Sequence, residues 1–251
     1  MQPRFPYLGV YYQSQGYSDN AFNYPNGKHG GLDIVPLLTQ GGNHWLAPIY
    51  PILSGTTLSV SNTDVDRGKG IKVRTTLDSG FITYLKVKGL IPNNHSGNVH
   101  LEHLYWHCHQ VTDLDGQITQ DTPVGLTGNT GNVWAGGQPV PSNQKGVPNY
   151  PGLHLHFECV LKSDNQTFNL DRDYLGRIDP QIILEYRDMN NYFAHKSGTP
   201  EYGFVETTPY TTVYHRAISE SDIKFQATKF GVNILNADGS INFASAKEVT
   251  F

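Results

Sequence analysis

Two histidine-containing segments offer the residue types that bind zinc in catalytic sites. His29 and Asp33 lie in the sequence KHGGLDIV, and His154 and His156 lie in GLHLHFE. A catalytic zinc ion takes three protein ligands from histidine, aspartate, glutamate and cysteine, and it keeps one position for water. The two segments therefore supply enough ligands for a metal hydrolase, with one histidine to spare.

Each pair taken alone also has a purely structural explanation. His29 and Asp33 could belong to a polar turn, although the two glycines between them allow the tight backbone curvature that would bring both to one ion. His154 and His156 alternate with leucines, and a strand period of two places both imidazoles on one face. That face would be either a surface or a cleft.

A third histidine segment, VHLEHLYWHC, follows the same alternation. His103 shares a strand face with Leu101 and Tyr105, which is compatible with a core position or with the lining of a cleft. His107 would lie on that face too if the strand continues, so it is an alternative to His103 as the histidine that this segment contributes to a site.

Read in order, these segments resemble the M23 family of zinc metallopeptidases, the LytM and lysostaphin type of peptidoglycan endopeptidase. The residues that carry the resemblance are the HxxxD motif from His29, the HL pair at His103, the sequence GLTGNTG and the HLHFE motif from His154. They span residues 25–185, about two thirds of the chain. The resemblance implies a mainly β fold, with an antiparallel sheet lining a groove, long loops and few short helices.

The same resemblance implies that His29, Asp33 and His156 hold Zn²⁺ and that His154 and His103 are the catalytic residues. Zinc lowers the pKa of bound water to about 7, and with no HExxH motif the histidines must move the protons. The chain departs from the family in its long stretch after His103, in an additional loop at 132–151 and in residues 78–97, which suggest an inserted hairpin.

The function implied is zinc-dependent hydrolysis of peptide stems or cross-links of bacterial peptidoglycan, in cell-wall lysis or remodelling. The alternative is a catalytically silent or latent module of the same fold that binds or regulates the wall. A phage tail, a lysin or another larger assembly is a candidate context. We therefore expect an extracellular, cell-wall or virion-associated location, and the first twenty residues lack the long apolar core of a signal peptide.

Composition limits the other classes of partner. The 251 residues carry a net charge of −4 without a basic block, which argues against nucleic acid. No apolar run reaches the length of a membrane span. Cys108 and Cys159 could form a disulfide or remain buried thiols, and the second is the preferred interpretation.

Composition shifts divide the chain into three expected parts. They are an irregular lead-in at 1–24, a zinc peptidase domain at 25–190 and a C-terminal extension of unknown role at 191–251. Asp179 and Pro180 suit the N-cap and first position of a short helix near the end of the peptidase domain.

Overall fold

The structure is a computed structural model that describes most of the first 186 residues and short segments beyond them. The described residues are 1, 3–7, 9–17, 19, 27–38, 46–63, 65–112, 114–147, 150–164, 168, 176–186, 195–196, 199–200, 202–207, 212–217 and 237–238.

Strands dominate the described residues, with two short α-helices and one 3₁₀ turn at Ser142–Gln144. The elements are β1 (Gly9–Gln15), β2 (Leu32–Leu38), β3 (Pro48–Ile49), β4 (Gly55–Ser61), β5 (Lys69–Thr76), α1 (Ser79–Val87), β6 (Val99–Cys108), β7 (Gln110–Val111), β8 (Gln117–Ile118), β9 (Gly125–Leu126), β10 (Trp134–Ala135), β11 (Gln138–Pro139), β12 (Leu155–Ser163), β13 (Arg177–Ile178), α2 (Pro180–Glu185), β14 (His195–Lys196), β15 (Thr199–Pro200), β16 (Tyr202–Thr207) and β17 (Thr212–Ala217).

Within the described residues, the main sheet has ten strands in the order β16-β17-β1-β2-β12-β6-β5-β4-β8, with β13 also paired to β12. Every described strand pair in it is antiparallel. The expected fold class, a mainly β protein with an antiparallel sheet and few short helices, is confirmed. No described helix is long and apolar enough to cross a membrane.

The two faces of the sheet differ because side chains alternate along each strand. One face packs on the hydrophobic core, to which β6 contributes Leu101 and Tyr105 and β12 contributes Phe157 and Leu161. The other face carries His156 opposite Asp33 of the adjacent strand. We call these the core face and the site face.

Both α-helices have an aspartate N-cap that accepts a backbone hydrogen bond. Asp179 accepts from Gln181 at the start of α2, as the sequence predicted. Asp78 accepts from Phe81 at the start of α1, so the hairpin expected at 78–97 is wrong. Phe81 and Leu85 of α1 are buried in the core.

Described segments of the expected lead-in and of the expected extension join the main sheet. Residues 1–24 were expected to be irregular, but Gly9–Gln15 form β1, which pairs with β2 on one side and with β17 on the other. The strand pair β16 and β17, from the expected extension, thereby continues the same sheet. The boundaries at residues 24 and 190 stay predictions.

Cys108 and Cys159 are free, buried thiols. Burial raises the pKa of the Cys108 thiol to about 12. A thiol this hard to ionise is a poor nucleophile and a poor metal ligand at neutral pH.

Candidate metal centre

His29, Asp33 and His156 converge at one end of the site face. Asp33 lies on β2 directly opposite His156 on β12, so the strand register brings these two side chains together. His29 precedes β2 and reaches the same point across Gly31. A Cβ at Gly31 would lie 2.4 Å from the Phe157 carbonyl oxygen, so only glycine permits this close passage.

The distances among the three side chains suit the shared coordination of one ion. His156 Nδ1 lies 2.8 Å from Asp33 Oδ1, and His29 Nε2 lies 3.1 Å from the same oxygen. The two histidine nitrogens are 3.0 Å apart. These three residues form the one group of potential metal ligands found within the described part of the chain.

The other nitrogen of each histidine contacts a hydrogen-bond acceptor. His29 Nδ1 donates to the Gly16 carbonyl at 2.9 Å, and His156 Nε2 donates to Glu158 Oε1 at 3.0 Å. This arrangement directs His29 Nε2 and His156 Nδ1 towards Asp33, where their lone pairs would meet a bound ion. Zinc-binding histidines commonly have such outer partners, because these fix the tautomer and the ring orientation.

The electrostatics of the pocket favour a positive charge among the three residues. Burial lowers the pKa of His156, but Asp33 and Glu158 outweigh it and raise the pKa to about 9. Burial raises the pKa of Asp33, but His154 and the hydrogen bonds from His156 and His29 hold it well below its usual value. A divalent cation would satisfy the same preference, so the residues fit zinc.

His154 lies next to this cluster and is a suitable base. Its Nδ1 donates to the Gly152 carbonyl at 2.9 Å, which leaves Nε2 as the basic nitrogen, 3.7 Å from Asp33 Oδ1. Burial lowers its pKa, so the ring is neutral at pH 7.

His107 is the second histidine that the structure places beside the cluster. Its ring centroid lies 4.6 Å from that of His154 and 5.8 Å from that of His156. Its Nδ1 donates to the Thr130 carbonyl at 2.7 Å, so it too keeps Nε2 as the basic nitrogen. Burial is the main cause of a pKa well below the usual value.

The structure does not bring His103, the expected second catalytic histidine, to the metal centre. His103 points into the core face, where its Nε2 is 3.0 Å from Thr75 Oγ1 and its Nδ1 is 2.8 Å from the Tyr105 hydroxyl. Strict alternation would put His107 on that face as well. His107 instead has a φ of 63°, a left-handed conformation that interrupts the alternation and turns its ring to the site.

Glu158 of the HLHFE motif is a further residue of the site, and its role was not predicted from the sequence. It is fully buried beneath His156, and its Oε2 lies 3.0 Å from Arg67 Nη1 and 2.9 Å from Arg177 Nε. The signal was available in the spacing, because a residue two positions after His156 on a strand shares its face. The partner Arg67, from a distant turn, had no comparable signal.

Comparison with known proteins gives structural matches alone. No protein-family model matches the chain, and no curated protein matches it at a significant level. The catalytic domain of lysostaphin from Staphylococcus simulans matches with 16% identity over 70% of this chain and 93% of its own, at a TM-score of 0.43. The catalytic domain of EnpA, a prophage-encoded M23 protein from Enterococcus faecalis, matches with 14% identity over 72% of this chain and 95% of its own, at a TM-score of 0.39.

A zinc-containing peptidase from Vibrio cholerae matches with 15% identity over 74% of this chain and 41% of its own, at a TM-score of 0.38. These matches agree with the resemblance to M23 peptidases read from the motifs. Identities and TM-scores this low do not transfer an activity, a substrate or a site residue to this chain.

Proposed function

We propose that the protein is a zinc-dependent endopeptidase that hydrolyses peptide stems or cross-links of bacterial peptidoglycan. The observation that carries the proposal is the convergence of His29, Asp33 and His156 beside the neutral imidazole of His154. A ligand set of two histidines and one carboxylate keeps the metal a Lewis acid and leaves it a position for water.

Bound zinc would polarise the scissile carbonyl and make hydroxide available near neutral pH. His154 Nε2 accepts the proton of the attacking water, because it is the basic nitrogen next to Asp33 and its Nδ1 is held by the Gly152 carbonyl. The protonated His154 ring returns this proton to the leaving amine, and His107 Nε2, which carries no proton in this arrangement, serves as a second proton acceptor beside it. The Thr130 carbonyl fixes the ring of His107 for this role.

Zinc content and peptidoglycan digestion, measured together, test this proposal. We expect one zinc per chain in both the wild type and His154→Ala, with soluble peptides released by the wild type alone. Mass spectrometry of the fragments would identify the bond. Zinc in both proteins without release by either would favour the silent or latent wall-binding module instead.

The wider setting rests on the sequence alone. An extracellular or virion-associated location, and a context as a phage-tail component or lysin, stay predictions. Co-purification with tail particles would support the virion context, and recovery as a free secreted enzyme would count against it.

A further inference from the structure

The site face carries a row of long cationic side chains beyond the metal centre. We define this cationic face by Arg67, Lys72, Arg74, Lys162 and Arg177. Lys72 and Arg74 lie on β5 opposite Leu104 and Glu102 of β6, and Lys162 lies on β12. Arg67 reaches the face from the turn before β5, and its guanidinium lies 5.6 Å from the centre of the Trp106 ring.

Two buried carboxylates on this face are each shared by two cations. Glu158 lies between Arg67 and Arg177, at 3.0 and 2.9 Å. Glu102 lies between Lys72, at 3.7 Å, and Arg74. Each group therefore keeps one net positive charge, although the whole chain carries a net charge of −4.

Three of the five cations on this face are accessible, whereas Arg177, at 11% exposure, and the two shared carboxylates are not. The side chains of Arg67 and Arg74 are each 40% exposed and that of Lys72 is 31% exposed. Glu158 is fully buried, and Glu102 is nearly so. A molecule lying over Arg67, Lys72 and Arg74 would therefore meet positive charge, whereas the exposed Asp164 beside His100 carries a negative charge at the far end of the face.

The cationic face is continuous with the metal centre. Glu158 binds Arg67 through one carboxylate oxygen and the ring of His156 through the other. Glu158 lies opposite Leu104 and Glu102 lies opposite Val160, which makes the two residues diagonal neighbours across β12 and β6, a relation that places backbones roughly 7–8 Å apart. A chain extending from the metal along the sheet meets Arg67 first and then Lys72 and Arg74.

We propose that the cationic face binds free carboxylate groups on the peptide substrate and so selects peptide stems whose side carboxyls are not amidated. The proposal rests on the proposed function, because it places an acidic peptide along the sheet from the metal centre. Charge complementarity is its basis, since an anion here gains a partner without displacing a buried carboxylate.

A pair of matched stem peptides tests the proposal. One fluorescein-labelled peptide has the α-carboxyl of its D-glutamate free, and the other has it as a carboxamide. Anisotropy gives the Kd of each for the zinc-loaded full chain carrying His154→Ala, so that the peptide stays intact. We expect the free carboxylate to bind about fivefold more tightly at low salt, as for an exposed ion pair worth about 1 kcal/mol, and the difference to shrink at high salt.

Two further variants change the preference in opposite directions. Arg74→Gln should reduce the preference for the carboxylate peptide, and Glu102→Gln should increase it, because it removes the negative charge between Lys72 and Arg74. Lys88→Gln is the control, because it also removes one positive charge but at a place outside the cationic face. Lys88 follows α1, and Phe81 and Leu85 of this helix pack in the core. Damage to the fold would not produce opposite shifts.

Equal affinity for the two peptides, or a preference that neither Arg74→Gln nor Glu102→Gln alters, would overturn the proposal. Failure of the proposed function has a different signature. In that case the wild type would hydrolyse neither peptide, while the preference for the carboxylate peptide would remain.

Discussion

At the scale of single residues, the candidate metal centre depends on which nitrogen of each histidine carries the proton. Gly16 and Glu158 accept from the outer nitrogens of His29 and His156, and the inner nitrogens face Asp33. Ligands held in this way need little reorganisation to bind an ion.

Glu158→Gln tests the outer partner of His156. An amide is a weaker acceptor than a carboxylate and can present its NH₂ group instead, so we expect zinc affinity to fall about tenfold to hundredfold. Competition with a chromophoric chelator measures this change. The matched control is Glu102→Gln, another buried carboxylate between two cations on the same face, and an equal loss there would contradict the account.

His107→Ala and His103→Gln distinguish the two candidate histidines. We expect His107→Ala to lower kcat by about a hundredfold or more while it retains zinc, because a general acid or base is lost. His103→Gln should keep most of its kcat, since its ring contacts Thr75 and Tyr105 in the core. Steady-state kinetics on zinc-loaded protein gives both values, and the reverse result would restore His103 as the catalytic residue.

His103 also makes stability depend on pH. Burial lowers its pKa to about 3, whereas an unfolded histidine titrates near pH 6.5. Between these two values the unfolded chain takes up a proton that the folded chain excludes, so the free energy of unfolding falls by about 1.4 kcal/mol for each unit of decreasing pH. From pH 6.5 to 5 the wild type should lose about 2 kcal/mol more than His103→Gln.

Urea unfolding at the two pH values measures this difference. All the other histidines are the same in both proteins, so their contributions cancel in the comparison. Equal losses in the wild type and His103→Gln would show that the buried ring does not control the pH dependence.

At the scale of elements, Asn129 attaches the loop whose described residues are 132–147 and 150–152 to the site. Its Nδ2 donates to the Gln144 and Pro151 carbonyls, both at 2.9 Å, and its Oδ1 accepts from the Gly146 amide at 2.7 Å. The next carbonyl after Pro151, that of Gly152, holds His154 Nδ1. Asn129 therefore positions the loop and, through it, the imidazole of His154.

Asn129→Ala should loosen this loop and lower kcat by about tenfold or more while zinc stays bound, because the base is then less well oriented. Limited proteolysis should show new cleavage within the loop. Asn98→Ala is the control, since the Asn98 side chain makes an exposed contact with Asp164. Unchanged proteolysis and kcat in Asn129→Ala would contradict this role.

Elements with a clear side-chain period were predictable from the sequence, and those without one were not. The alternation around Leu101 and around Leu155 predicted parts of β6 and β12, and Asp179 with Pro180 predicted α2. The side-chain alternation does not reveal the positive φ at His107, so the sequence did not predict that His107 rather than His103 lies beside the metal centre. The segment of α1 was read as an inserted hairpin, although Asp78 is its N-cap.

At the scale of the whole molecule, the sheet joins segments that the sequence separates. Strand β1, from the expected lead-in, lies between β2 of the metal centre and β17 of the expected extension. Such pairings depend on contacts between residues far apart in the chain, which local propensity does not encode. The motif residues could be identified without knowledge of these strand pairings, because each motif lies within a short run of the sequence.

X-ray absorption at the zinc edge, combined with anomalous diffraction from zinc-loaded crystals, tests the central claim most directly. The account predicts one zinc ion among His29 Nε2, Asp33 Oδ1 and His156 Nδ1, with nitrogen and oxygen ligands at about 2.0–2.2 Å and a further position open to water. Zinc bound elsewhere, or no zinc at this site in a folded protein, would contradict the account.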